Sequence, residues 1–541
     1  MGRVSEISDR YIREFATIDP VRSIRFGTDS EEPTLTDYSP AGLAAKARLF
    51  RTTLADLETA EPEDEAERLG KAYLTDMVAA ELGLVESGER GRLVNAVVGP
   101  VSSVRTVFDL MDRSTDDAWA RVAARLRAVP RCLQGYRASL EHEREGGRVA
   151  GHRVVAVVAR QCDAFGRWFT AYVAPYGEGP LRAELDDAAV AANQAYGSLG
   201  DWMRRDYAVS ADPTDGVGDD RYRVWGRAML GTELDLDEAY AWGWEELRRL
   251  EQEKKVEADR ILAGATFAEA RELLETDDDR AIHGVDEYQR WLQEISDEAI
   301  EALHGSEFDI PEPLRTCRIG IPPEGSAAAP YYTPPSEDLS RPGQTWFPTL
   351  GATRFPMWDK VTTAYHEAVP GHHLQVGAIK LLPLTRAHRV GFNSAHGEGW
   401  ALYAERLMDE LGWFENPDRR LGFLAAQAFR AARVVVDIGL HTGRVIPEGW
   451  DGAGRRWTYE LAVEHIGRAS GRNRPFVESE VVRYLSLPSQ ATTYKLGERV
   501  WLAGREAASR RPDFDLRSWH ANALALGAHG LDRLAEELPR C

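Results

Sequence analysis

Cysteine is scarce in this chain: four residues in 541, Cys132, Cys162, Cys317 and Cys541, far apart and forming no Cys-x-x-Cys pair. They read as unpaired thiols in a reducing compartment rather than as a disulfide framework. Long apolar runs are missing too. Nothing approaches the ~18 consecutive apolar residues of a membrane span, and the opening Met-Gly-Arg-Val-Ser-Glu-Ile-Ser-Asp-Arg lacks the apolar core of a signal peptide, so the location expected by default is the cytoplasm. Positive charge is in deficit, with 66 Lys+Arg against 87 Asp+Glu and a net charge of −21, which argues against nucleic acid or an anionic membrane as partner. No Gly-x-Ser-x-Gly stands at a strand-to-helix turn, and no cysteine has a histidine beside it in sequence, which weakens a nucleophilic serine or cysteine mechanism. Internal repeats and low-complexity tracts are absent.

What the chain does have is 43% hydrophobic residues, enough at this length for a large core and two or more lobes. It also has histidines in one place: seven of the 13 fall between His366 and His465, five of them by His396. The stretch His366-Glu-Ala-Val-Pro-Gly-His-His373 combines imidazoles and a carboxylate, the usual protein ligands of a catalytic zinc, with Glu367 where a zinc hydrolase keeps its general base.

The spacing departs from His-Glu-x-x-His, in which two histidines one helical turn apart reach one ion. Here Pro370 occupies the fourth position and the next histidines stand six and seven residues on. Seven residues of straight helix rise about 10 Å, too far for two zinc ligands at about 2.1 Å each. Pro370-Gly371 supplies the means to deform the helix, so that His372 or His373 takes the place of the missing ligand. Glu398, 32 residues after His366 in Gly-Glu-Gly-Trp-Ala, is the candidate third ligand, leaving a fourth position for water. Glu405, seven residues further on the same helix face, is placed to orient a ligand histidine by hydrogen bond.

Along the chain the pattern is mostly helical. Residues 1–60 carry apolar positions at helical intervals, broken by Asp19-Pro20 and Pro33 and resuming over 41–57. Residues 61–82 form a charged amphipathic stretch, 104–126 and 131–143 a helical pair around Val129-Pro130, and an alanine-rich run begins at Val154. Charged residues on these helices read as solvated faces. Residues 212–220 are a loop, 234–262 an exposed scaffold helix, and 285–303 another helix. From 306 to 356 prolines, glycines and aromatics signal loop and short strands, with 344–348 the candidate edge strand beside a cleft where an extended peptide would pair. Helical pattern returns over 421–440 and 459–466. The expected architecture is mainly α, with residues 1–305 forming one side of a cleft, 306–541 carrying the metal site and a small β element, and the two intertwined as one catalytic unit.

His366-Glu-Ala-Val-Pro-Gly-His-His, Glu398-Gly-Trp-Ala-Leu-Tyr-Ala-Glu405, Arg433-Val-Val-Val-Asp-Ile-Gly-Leu-His441 and Pro488-Ser-Gln-Ala-Thr-Thr-Tyr494 resemble the bacterial domain-of-unknown-function family 885 (DUF885). The resemblance implies a mostly helical zincin-like metallopeptidase site, distantly similar to oligopeptidases, the carboxypeptidase Taq family and angiotensin-converting enzyme. By role, it implies Glu367 as general base, one zinc per chain held by His366, one of His372 and His373, and Glu398, and Tyr494 and His441 as hydrogen-bond donors to the oxyanion of the tetrahedral intermediate. Arg433 and Asp437, four apart on a helix, form a structural pair, with a substrate carboxylate as the alternative partner of Arg433.

Of the other residues, His388 reads as a surface residue and His396 as a substrate contact or a loop residue. Trp400 and Tyr403 read as packing beneath the metal helices, and Tyr331-Tyr332 as pocket wall or loop anchor. The expected function is zinc-dependent hydrolysis of an amide bond in a peptide, with manganese, cobalt or iron as other ions the ligand set would take. The alternatives are a metal-dependent enzyme acting on a small amino-acid-derived metabolite and a non-catalytic binding protein.

Overall fold

Periodic helical sequence gives a mainly helical molecule, 69% helix and 4% strand. The protein is described by a computed structural model over residues 2–26, 33–322, 329–336 and 341–541. Parts of the proline-rich segment, 323–328 and 337–340, therefore lie outside the described residues. The chain divides into two compact units. One comprises Met1–Ala228, Thr385–Ala387 and Ser479–Pro488; the other comprises Met229–Leu384, His388–Glu478 and Ser489–Cys541. Among the described residues no helix is long and apolar enough to cross a membrane.

In the first unit the 30-residue helix Asp116–Glu145 packs along Arg182–Trp202. It starts on Thr115, whose side chain accepts from the Ala118 amide, and it runs straight through Pro130. The break expected at Val129-Pro130 is therefore absent, and the stretch 104–126 is divided instead between Pro100–Val107 and this helix. An interior proline costs about 3 kcal/mol through a lost donor and a clash with the preceding turn. Leu126, Val129, Leu133, Tyr136 and Leu140 lie on one buried stripe of this helix. At about 1.5–3 kcal/mol for each large side chain buried, that stripe outweighs the proline.

The second unit is built around Pro417–Thr442. Asn416 caps its start by accepting from the Asp418 and Arg419 amides, and Gly443 ends it at φ 66°. From Leu421 to His441 nearly every position is buried, as for a helix surrounded by other elements. Leu236–Ile261 lies along it: a Cβ at Gly243 would stand 2.9 Å from methyls of Val434 and Val435, so the bare glycine permits the close approach. The Leu236–Ile261 helix is thus no exposed scaffold. Leu236, Ala239, Tyr240, Trp244, Leu247 and Leu250 form a buried stripe at three- and four-residue intervals, which its many charges on the other face obscure in sequence.

Strands are short. Ala281–His283 pairs antiparallel with Arg354–Pro356. Gln344–Trp346 lies between Arg318–Gly320, parallel to it, and Tyr331–Thr333, antiparallel. The expected edge strand at 344–348 is accordingly the centre of its sheet, its backbone groups already shared with two neighbours.

Candidate metal centre

Two helices replace the single helix of a His-Glu-x-x-His site. Lys360–Glu367 ends after Glu367, and His372–Leu381 begins four residues beyond its last residue's successor, with Ala368 at φ −95°, ψ −120° and Gly371 at φ −74°, ψ −132° in the break. Gly371 is required by space: a Cβ there would lie 1.9 Å from the His366 carbonyl oxygen and 2.4 Å from that of Tyr365. The connection is held from outside as well, since Trp400 Nε1 donates to the Pro370 carbonyl at 2.8 Å.

The break turns His372 back toward His366. Nε2 of His366 stands 3.4 Å and Nε2 of His372 3.6 Å from Glu398 Oε2, and one ligand atom from each residue lies within 4.8 Å of the others. Among the described residues this is the one group of three or more His, Cys, Asp or Glu so arranged. Tetrahedral zinc with bonds of about 2.0–2.1 Å separates its ligand atoms by about 3.4 Å, so the spacing fits. Glu398 Oε2 is buried with no hydrogen-bond partner, as is His372 Nδ1. Two neutral imidazoles and a carboxylate leave that oxygen facing lone pairs unless a cation or a proton sits between them.

The electrostatics express the same demand. Burial opposes a charge on His366, but Glu398 and Glu405 outweigh it and push the imidazole up to about 9. Burial raises Glu398, yet His366 and His372 hold it well below the ordinary carboxylate range. Glu405 is fully buried and accepts from His366 Nδ1 at 2.7 Å; because an ionised carboxylate only accepts, Nδ1 carries a proton and Nε2 is the nitrogen turned toward Glu398. Its other oxygen accepts from Thr362 Oγ1 at 2.9 Å and Gln427 Nε2 at 3.2 Å, and Arg430 stands 3.4 Å from Oε1.

His373 is turned away from this group. Its Nε2 donates to the Leu314 carbonyl at 3.0 Å and its Nδ1 accepts from the Tyr332 hydroxyl at 3.0 Å, so of the two histidines left open by the sequence it is His372 that converges. Tyr332 thereby anchors its strand to the helix His372–Leu381. Glu367, one residue beyond His366, is 8% exposed. Tyr494 lies under the Arg433 guanidinium, 4.5 Å from the ring centroid, with Phe429 on the same guanidinium at 4.1 Å. Asp437 accepts from the Ser489 amide at 2.8 Å, and His441 Nε2 lies 3.8 Å from Asp437 Oδ1.

Two expectations for histidines are corrected. His388 is wholly buried rather than on the surface, donating from Nε2 to the Ala528 carbonyl at 3.0 Å. His396 is 1% exposed, and its Nδ1 accepts from the His529 amide at 2.9 Å, which leaves it no open face for a substrate. Trp400 and Tyr403 are fully buried, as expected of packing residues. Thr362, Gln427 and Arg430, which surround the Glu405 carboxylate, and Lys495, which donates to Gln427 Oε1 at 2.8 Å, are residues that sequence reasoning missed. The available signal was a polar side chain interrupting an otherwise apolar helical face, as Gln427 does between Ala426 and Ala428.

Comparison with known proteins places these features in a family. The model of DUF885, described as bacterial protein of unknown function, matches residues 20–538. The chain belongs to that family. No curated protein matches. Two solved structures share the fold over their full lengths. A candidate lipoprotein from Colwellia psychrerythraea is 20% identical, covers 99% of this chain and 98% of its own, and has a TM-score of 0.85. A candidate lipoprotein of unknown function from Shewanella oneidensis is 17% identical, with 99% of each chain covered and a TM-score of 0.75.

The cytoplasmic location expected from the sequence is not upheld, since both solved structures that share this fold are described as candidate lipoproteins. The thiols that suggested a reducing compartment carry no such weight. All four are free, and burial pushes Cys162 and Cys317 up to about 12, where little reactive thiolate exists in any compartment.

Proposed function

We propose that this protein is a zinc-dependent hydrolase that cuts peptide amide bonds, with a zincin-like site in which His366, His372 and Glu398 hold the ion and Glu367 is the general base. The observation that carries the reading is the convergence of His366 Nε2 and His372 Nε2 on a buried, otherwise unpartnered Glu398 oxygen at 3.4 and 3.6 Å. Zinc held by these residues would supply Lewis-acid activation of water and of the scissile carbonyl. Glu367, adjacent to His366 at the helix end, takes the proton of the attacking water on its carboxylate and delivers it to the departing nitrogen.

Tyr494 is the proposed donor to the oxyanion. It lies on helix Thr493–Ser509, in the turn before Gly497, and Gly497 abuts Gly399, the residue after Glu398; a Cβ on Gly399 would fall 2.5 Å from the Gly497 carbonyl carbon. His441 is the second proposed donor, its Nε2 standing 3.8 Å from the Asp437 carboxylate. The Arg433 guanidinium, 4.5 Å from the Tyr494 ring centroid, packs against that side chain.

The test is a peptide library run beside small amides and esters, with the parent and Glu367→Gln. Peptide cleavage by the parent, reduced about 10²-fold or more in a variant that still holds its metal, is the expected result. Turnover confined to small amino-acid-derived amides or esters would change the substrate class. A folded, metal-loaded parent that turns over neither would make the protein a binding protein.

A further inference from the structure

Behind the converging donors runs a buried polar chain that hydrolysis itself does not use. Glu405 and Gln427 are both wholly buried, and Gln427 Nε2 donates to Glu405 Oε2 at 3.2 Å. On its other side Gln427 offers Oε1 to Lys495 Nζ at 2.8 Å. Lys495 is 1% exposed, stands 2.8 Å from Glu246 Oε1 and is also bonded to Glu498.

A glutamine amide presents nearly the same shape either way round, but reversal exchanges its donor and its acceptor. An ammonium has donors only. Lys495 therefore accepts one orientation, the amide oxygen toward itself, and this aims the amide NH2 at Glu405. Reversed, the amide oxygen would face a buried carboxylate, and Glu405 would have to move away from it. Because His366 Nδ1 is bonded to that same carboxylate at 2.7 Å, the movement would reach a metal ligand.

We infer that Lys495 is a positioning residue of the metal centre: by locking the Gln427 amide it holds Glu405, and through Glu405 the ring of His366, in the orientation that binds a divalent cation. The inference rests on the zinc reading above. Glu246 and Glu498 give Lys495 its place in turn, so the centre is oriented by a chain three side chains deep.

Zinc affinity of the full-length protein, read by competition with a chromophoric chelator, tests this, with the fold of each metal-free variant followed separately by thermal melting. Gln427→Met and Lys495→Met are each expected to weaken zinc about 10-fold, the lower end of what partners orienting a ligand histidine contribute. Because Lys495 acts through Gln427, the double variant is expected to lose no more than either single one. Should Lys495→Met fail to fold for want of the ammonium between Glu246 and Glu498, Lys495→Met combined with Glu498→Gln, which removes one of the two negative charges, takes its place in the same comparison.

A merely structural lysine would lower melting temperature and leave zinc affinity alone. Parent-like affinity in the folded variants, or losses that multiply in the double variant, would overturn the inference while leaving the zinc reading intact. A folded parent that takes up no zinc would overturn both.

Discussion

Replacing Gly371 by alanine should separate the two halves of the centre. The added Cβ would lie 1.9 Å from the His366 carbonyl oxygen and 2.4 Å from the Tyr365 one, both backbone atoms that cannot rotate out of the way. To reach 3.0 Å, the shortest separation that real Cβ atoms show, the break must open by about 1.1 Å. Metal ligand distances tolerate about 0.2 Å, so a shift of that size between the helices bearing His366 and His372 exceeds the tolerance several-fold. Overpacking of this kind typically destabilises by about 1–3 kcal/mol. The expected phenotype is a folded protein of lowered urea midpoint whose zinc affinity falls by two orders of magnitude or more, measured by chelator competition and chemical denaturation on one preparation. Gly371→Ala with parent affinity would show that the convergence of His366 and His372 does not depend on the tight break, and the account of the site would fail there.

Further outcomes follow from the same structure. His373→Asn should keep one zinc per chain whereas His372→Ala should lose it, by elemental analysis, because His373 is bonded to Leu314 and Tyr332 instead of facing Glu398. Chelation should lower the melting temperature of the zinc-loaded protein; at free zinc 100 times Kd the ion contributes about 2.7 kcal/mol, and an unchanged melt on adding chelator would contradict a bound ion. Acid should destabilise the fold below neutrality. Burial holds His388 and His520 down to about 4 against an ordinary 6.5, so the unfolded chain binds protons that the native one refuses, and stability is lost as pH falls from about 6.5 toward 4. At pH 5.5 each contributes about 1.4 kcal/mol of that loss, and a denaturation midpoint flat from pH 7 to 5 would refute it.

The helices of the second unit were the most legible part of the fold. Leu236–Ile261, Val285–Leu303 and Pro417–Thr442 fall within a few residues of their apolar periodicity, because repeated three- and four-residue spacing survives any tertiary arrangement. Burial was less legible. Leu236–Ile261 looks exposed by charge, yet one stripe of it packs on a neighbouring helix, and Asp116–Glu145 continues through Pro130 because its apolar stripe offsets a local penalty. Strand order was hidden entirely: three-residue strands such as Gln344–Trp346 carry no pattern that tells a centre from an edge.

At the site, the need for a break at Pro370-Gly371 followed from spacing, and Glu405 was placed to bond a histidine of the group, though only the structure shows that histidine to be His366. The choice between His372 and His373 did not follow from spacing, since it depends on the dihedrals of four residues and on what Leu314 and Tyr332, both distant in sequence, offer in exchange. Gln427 and Lys495 were invisible for a similar reason. Each matters through partners 22 and 68 residues away, and a single glutamine or lysine in a helix has no spacing signature.

The most direct measurement is the metal content of the purified protein by elemental analysis beside His366→Ala and Glu398→Ala, with all three shown to be folded. The account predicts near one zinc per chain in the parent and loss from both variants, since each removes one of the three converging donors. A folded parent that holds no metal after zinc is offered, or variants that keep the parent's full content, would contradict it.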